Sequence, residues 1–178
     1  MRNLAEKWSI APDWRSAVLA VPGLTIRPVL GLEQQMVSGD LAAWGKASGN
    51  AGPGVGAFEA AQGESYTARL ARDRLLAVSR SAPPAAAGWH AEGFAVTVVS
   101  AAMQVFEAEG AALNELIARA TTLDPKQPSA SAALSFAGIS AIVYRHGEAL
   151  RIHVDRGLAA YLWTWLEMTA RQIAANQK

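Results

Sequence analysis

Three histidines, His90, His146 and His153, are the first places to look for acid-base or metal chemistry. None has a second histidine or a carboxylate at the helical spacing of a zinc site such as His-Glu-x-x-His. Their contexts are a linker for His90, a hairpin turn for His146 and a strand for His153. His153 and Asp155 stand two apart on that strand, so they share a face and form the most suggestive pair in the chain. Leu150, Ile152 and Val154 occupy the other face, and Arg151, His153 and Asp155 are expected to point into solvent. Glu107 and Glu109 share a face by the same rule and read as surface charge. With no cysteine, the chain has no thiol nucleophile, disulfide or thiolate metal site. Gly138-Ile139-Ser140 lacks the second glycine of a nucleophile elbow. The loop Gly52-Pro53-Gly54-Val55-Gly56 lacks the Gly-Lys-Ser/Thr of a phosphate loop, and Pro53 removes one N–H donor. The residues themselves therefore give no catalytic, cofactor-binding or metal site.

The elements around these residues follow a regular order. Leu24 to Arg27 and Glu33 to Val37 alternate as strands, and Asp40 is placed to cap a helix through Leu41, Trp44 and Lys46. Strands at Tyr66 to Ala71 and Leu75 to Ser79 flank a turn at Arg72-Asp73. After the stretch 81–93, rich in proline and small residues, the pattern restarts with strands at Phe94 to Val99 and Gln104 to Glu107. A helix follows with Leu113, Leu116, Ile117 and Ala120 on one face, then a loop from Thr121 to Pro128. Three strands, Ala132 to Phe136, Ile139 to Tyr144 and Leu150 to Val154, precede a helix from about Gly157 to Ala174. The expectation is an α+β fold of two pseudo-repeated strand-helix-hairpin halves with mixed or antiparallel sheets and a long C-terminal helix. The halves span 24–80 and 94–178 of a single domain (24–178), joined by the linker 81–93. Residues 1–23 form an arm that Trp8 and Trp14 dock against the rest.

The length of 178 residues, with 51% hydrophobic and 17% charged, suits one compact domain. A net charge of +1 and no basic cluster argue against nucleic acid or an anionic membrane as the main partner. No apolar run reaches the eighteen or so residues of a membrane span, and no targeting segment is recognised, so a cytoplasmic protein is expected.

In the last helix, Leu158, Leu162, Trp165, Thr169 and Ile173 form a stripe expected to face the sheet. Trp163 lies off that stripe and is expected, with Arg156 and Tyr161, to meet a partner protein. At this helix the sequence resembles the gamma subunit of heterotetrameric sarcosine oxidase. Members end in a strand and a segment of the type Asp-Arg-Ser-Phe-Ala-Asp-Tyr-Leu-Trp-Arg-Trp-Leu. Here that segment reads Asp155-Arg156-Gly157-Leu158-Ala159-Ala160-Tyr161-Leu162-Trp163-Thr164-Trp165-Leu166. Weaker likenesses lie at 24–39, at 71–78 and from Phe106 to Pro125, so the resemblance runs from about residue 24 to 174. Val98-Val99-Ser100 and Ser129 to Ala133 depart from the family's Asp-Val-Ser/Thr and Arg-Cys-Ala-Arg-Thr.

The resemblance implies a fold related to the folate-binding T-protein of the glycine cleavage system. It also implies an accessory subunit that carries no catalytic residue and works with alpha, beta and delta subunits. FAD, FMN, NAD and tetrahydrofolate would sit in those partners, and the complex would demethylate sarcosine oxidatively to glycine. Two alternatives stand beside it. One is a free-standing T-protein-like folate-binding domain, acting in one-carbon transfer or as a maturation factor; the other is a small-molecule sensor or chaperone.

Overall fold

The computed structural model describes residues 11–50, 52–81, 85–127 and 129–176. Trp8, Pro83, Pro84 and Pro128, which entered the expectations for the arm, the linker and a loop, lie outside them. The first half runs β1 (Leu19–Val21), β2 (Leu24–Val29), β3 (Glu33–Gly39), α1 (Leu41–Ser48), β4 (Ala60–Ala61), β5 (Ser65–Ala71) and β6 (Arg74–Ser79). The second runs β7 (Gly88–His90), β8 (Phe94–Val98), β9 (Met103–Glu109), α2 (Leu113–Ala120), β10 (Ala133–Phe136), β11 (Ile139–His146), β12 (Ala149–Asp155) and α3 (Ala159–Asn176). The fold is α+β, and its order repeats: β1-β2-β3-α1-β5-β6 is matched by β7-β8-β9-α2-β11-β12.

Pairing crosses between the halves. One seven-stranded sheet has the order β1-β2-β9-β12-β11-β10, with β4 added parallel to β11. The other, five-stranded, has the order β5-β6-β3-β8-β7. Thus β2 of the first half pairs with β9, and β8 of the second half pairs with β3, each antiparallel. The arm and the linker therefore contribute more than a tether, since β1 extends β2 and β7 extends β8. At three residues each, these edge strands are too short to show an alternation in sequence.

Side-chain alternation sorts the apolar residues into three layers. Leu150, Ile152 and Val154 of β12 pack beneath α2 and α3 with Phe106, Leu116, Ile117, Leu162 and Leu166. Val105, Ile142 and Tyr144 lie between the sheets against Ala68, Leu76 and Val78. Val37, Leu75, Phe94 and Val96 are covered by Trp44 of α1. That helix is fixed at both ends: the Asp40 carboxylate accepts from the N–H groups of Ala42 and Ala43, each at 2.9 Å, and Gly49 closes it in the left-handed conformation. The order of layers is α1, five-stranded sheet, seven-stranded sheet, then α2 with α3. Both sheets are thus covered on both faces.

Two equivalent glycines permit the exchange. Gly39 ends β3 at φ 103°, and a Cβ there would overlap the Gly93 carbonyl oxygen just before β8. Gly110 follows β9 at φ 128°, and a Cβ there would overlap the Gly23 carbonyl oxygen just before β2. Those carbonyls accept from the next residues on: Asp40 N donates to Gly93 O at 3.0 Å and Ala112 N to Gly23 O at 2.9 Å. Gly63, at φ 77° with open space where its Cβ would stand, is the control. In chemical unfolding, Gly63→Ala should cost about 1–2 kcal/mol, the usual penalty of a left-handed alanine. Gly110→Ala should cost clearly more, about 3 kcal/mol or above, because backbone must also move. Equal costs would show that the close approach at Gly110 does not hold the sheets.

Candidate functional site

Seven polar side chains meet along and between the two sheets, and the pairing register places all of them. Arg151 and His153 come from β12, Tyr144 from β11, Glu107 from β9 and Arg27 from β2; the five-stranded sheet supplies Gln34 from β3 and Tyr66 from β5. His153 Nδ1 lies 2.7 Å from Gln34 Oε1, and His153 Nε2 lies 2.5 Å from the Tyr144 hydroxyl. A carboxamide oxygen only accepts, so Nδ1 carries the ring proton and Nε2 accepts from Tyr144. Tyr144, having donated, accepts from the Tyr66 hydroxyl at 2.9 Å, and Tyr66 accepts from Arg151 Nη1 at 2.5 Å. The hydroxyl protons therefore all point from Arg151 toward Gln34. On its other side Arg151 Nε donates to Glu107 Oε2 at 3.1 Å, while Arg27 Nη2 donates to Glu107 Oε1 at 2.9 Å.

The electrostatics follow from burial and these contacts. Burial, then the nearby positive charge of Arg151, pushes His153 down to about 3, so its imidazole is neutral at neutral pH. Burial, with the Tyr66 hydroxyl next, holds the Tyr144 phenol well above its usual range. Burial alone would raise Glu107, but hydrogen bonds from Arg27 and Arg151 outweigh it and leave the carboxyl below its ordinary value. The cluster is thus a Glu107 carboxylate held between Arg27 and Arg151, joined through Arg151 to a neutral string of hydroxyls, imidazole and amide.

This arrangement corrects the expected orientation of the strand. Arg151 is 3% exposed and His153 0%, because the second face of β12 meets the other sheet rather than water. Glu107 is not free surface charge; it is the shared acceptor of two arginines, and Arg27 also reaches Glu109 at 3.7 Å. Asp155 does not pair with His153: it is exposed, and its Oδ1 accepts from Gly157 N at 2.7 Å, capping a 3-10 turn at Arg156–Leu158. A general acid or base must come within hydrogen-bond reach of a reacting group. Both nitrogens of His153 are occupied and the ring is sealed, so the dyad has no access to a substrate. Gln34, Tyr66 and Tyr144 were not singled out by sequence, where no spacing rule joins residues from different sheets.

The other candidates are also committed locally. His90 stacks on Phe94 at 4.3 Å and His146 Nε2 lies 3.0 Å from Gly63 O. In the glycine-rich loop Val55 N donates to Thr67 O at 2.9 Å and Gly56 N to Glu59 Oε2 at 2.6 Å, so those amides are not open to a phosphate. A groove of about 800 Å³ beside α1 includes Lys46, Arg69 and Arg72, yet the Arg69 guanidinium is bound to the carbonyls of Ala71 and Arg72. Among the described residues no cluster of three or more metal-ligating side chains occurs, and no helix is long and apolar enough to cross a membrane.

The two tryptophans of α3 take places opposite to those expected. Trp163 is 9% exposed, covered by Trp14 at 5.8 Å and resting on Phe106 at 5.6 Å. Trp165 is half-buried, edge-on to Phe136 at 6.3 Å. The helical stripe cannot reveal this, because the covering residue belongs to the arm. Arg156 is exposed, and Tyr161 is 51% exposed with its hydroxyl donating to Ala137 O at 3.1 Å. Tyr161, Trp165 and Met168 form one apolar flank of α3, continued at 3-4 spacing by Leu158 of the preceding 3-10 turn, with Met168 56% exposed. The opposite flank is polar: Thr164 bonds Ala160 O, and Glu167 pairs with Arg171.

The model of the sarcosine oxidase gamma subunit family matches residues 61–172. No curated protein matches the chain. Among solved structures, the heterotetrameric sarcosine oxidase from Corynebacterium sp. U-96 in complex with pyrrole 2-carboxylate contains a similar chain. The two superpose with a TM-score of 0.66 at 21% identity, over 88% of each chain. At that identity the likeness establishes a common fold.

The buried imidazole gives the fold a definite pH response. The ring binds a proton near pH 6.5 when unfolded but only near 3 when folded, so the unfolded state takes up more protons between those values. Stability should therefore be fully present above pH 6.5 and fall as pH drops toward 3. From pH 7 to pH 5 the loss attributable to His153 is about 2 kcal/mol. Denaturant titrations across that range, with ring nitrogen NMR at pH 5, check it. A flat profile, or a protonated His153 in the folded chain at pH 5, would contradict the buried neutral assignment.

Proposed function

The chain belongs to the sarcosine oxidase gamma subunit family, and on that premise we propose that it is an accessory, non-catalytic subunit of a heterotetrameric N-methyl amine-demethylating flavoenzyme. In this reading sarcosine, or a related N-methyl amine, is demethylated by partner chains of the alpha, beta and delta type. FAD, FMN, NAD and tetrahydrofolate are bound by those partners, and this chain contributes a docking surface. The observation that supports the reading is the uneven surface of α3. One flank carries Tyr161, Trp165 and Met168, with Leu158 of the preceding turn beside them, and the other carries Thr164, Glu167 and Arg171. Aromatic residues and methionine are enriched at the cores of protein interfaces, whereas exposed ion pairs belong to wet surfaces. Arg156 and Tyr161 remain in the proposed interface, Leu158 and Met168 join them, and Trp163 leaves it because Trp14 covers it.

Co-expression of the tagged chain with the oxidase chains of its native host tests the assignment. Flavin-bearing partners should co-purify with the wild-type chain. Met168→Asp should weaken that recovery at least tenfold while shifting the stability of the isolated chain by no more than about 1 kcal/mol, as surface changes do. Trp163→Ala should do the reverse in kind, destabilising the isolated chain by about 3–5 kcal/mol. Recovery of no flavin-bearing chain would overturn the subunit reading. Unchanged recovery with Met168→Asp would overturn the choice of flank alone.

A further inference from the structure

The β2–β3 and β8–β9 turns meet at one edge of the layer between the sheets, and beneath them lies a cavity of about 120 Å³. Its wall includes Gln34, Gln104, Ser100 and Arg156. Gln34 and Gln104 are both more than nine-tenths buried, and each has one side-chain atom engaged elsewhere. Gln34 gives its Oε1 to His153, and among the described residues its amide N–H pair has no acceptor. Gln104 donates through Nε2 to Val105 O at 3.1 Å, and its Oε1 has no donor among the described residues. Ser100 is occupied: its hydroxyl accepts from Gln34 N at 2.9 Å and donates toward Glu33 at 3.1 Å. Arg156 forms no ion pair among the described residues, and the adjacent Asp155 carboxylate is turned to cap Gly157 N.

Polar atoms that border a cavity take their partners from whatever fills it, and a cavity of about 120 Å³ holds about four waters or one organic group of a few heavy atoms. Gln34 and Arg156 both line it, and a planar carboxamide with a planar guanidinium matches the two coplanar oxygens of a carboxylate. We infer that this cavity is a binding site for a small carboxylate, held by Arg156 at the mouth and the Gln34 amide at the base. The Gln104 oxygen accepts any N–H or O–H that the ligand carries beside its carboxylate. The carboxylate comes from a free organic acid or from an Asp or Glu side chain of a partner subunit. The inference stands on the cavity and does not rest on the assembly reading. Because Gln34 also holds His153 Nδ1, occupancy reaches the string of hydrogen bonds between the sheets.

Sodium acetate is the probe, titrated into the isotopically labelled full-length chain and followed by NMR at the Gln34 side-chain amide and the His153 ring. A saturable shift at both groups is expected, with none from sodium chloride at equal ionic strength. Arg156→Gln, an exposed change checked by its melting curve, should weaken binding tenfold or more. No saturable shift, a shift that chloride reproduces, or one that Arg156→Gln leaves intact would overturn the site and leave the cavity to water. The same titration on the complex with its partner chains separates the sources. Undiminished acetate binding there identifies a free acid. Loss of acetate binding in the complex, with acetate slowing reassembly, identifies a partner's side chain.

Discussion

Arg151 carries a full positive charge in the layer between two sheets, 3% exposed, and most of the polar architecture can be traced to that placement. An isolated charge out of water costs several kcal/mol, so it persists only with close partners. Glu107 supplies the counter-charge across the β9–β12 ladder, where it is directly opposite Arg151. Tyr66, from the other sheet, supplies a neutral acceptor. Each further member satisfies the one before it: Tyr144 accepts a hydrogen bond from Tyr66, His153 accepts one from Tyr144, and Gln34 accepts one from His153. The string crosses between the sheets three times, from Arg151 to Tyr66, from Tyr66 to Tyr144 and from His153 to Gln34, so it ties the two layers together. A connected network of this kind specifies one register of the sheets as well as stabilising them.

The sheets must be covered on both faces for such a site to exist, and the repeat with exchanged strands produces that cover. Each half pairs its second strand with the other half's third, through the close approaches at Gly39 and Gly110. The halves cannot separate without breaking both sheets. The symmetry ends at the outer layers. Sheet β5-β6-β3-β8-β7 carries α1, whereas the larger sheet carries α2 and the eighteen-residue α3, on which Tyr161 and Met168 stay exposed. Among the described residues the buried titratable groups, Tyr144, Arg151 and His153, are joined within this one cluster.

Much of this was legible in sequence. Alternation at Leu150 to Val154, the Asp40 cap, the 3-4 spacing from Leu113 to Ala120 and the order of elements gave the strands, helices and repeat. The terminal Tyr161-Leu162-Trp163-x-Trp165-Leu166 gave the family. What stayed hidden is the environment of each face. Alternation says that Arg151 and His153 share a side of β12, but not that this side meets a second sheet instead of water. Glu107 looked like surface charge for the same reason, since its two arginines lie 80 and 44 residues away. The exchange of Trp163 and Trp165 depended on Trp14, about 150 residues distant along the chain, which no helical wheel contains. The cavity below Arg156 depends on two turns from different halves.

The buried Arg151–Glu107–Tyr66 junction, not the outer ion pair at Arg27, holds the sheets in register. Chemical unfolding of Arg151→Met beside Arg27→Met tests it most directly. Both substitutions remove a cation that donates to the same carboxylate, but the Arg27 side chain is 50% exposed and the Arg151 side chain 4%. Arg151→Met should cost about 3 kcal/mol or more, because it leaves the mostly covered Glu107 carboxylate and the Tyr66 hydroxyl short of a donor. Arg27→Met should stay within about 1 kcal/mol, as exposed pairs do. Equal, small losses from the two would contradict the account.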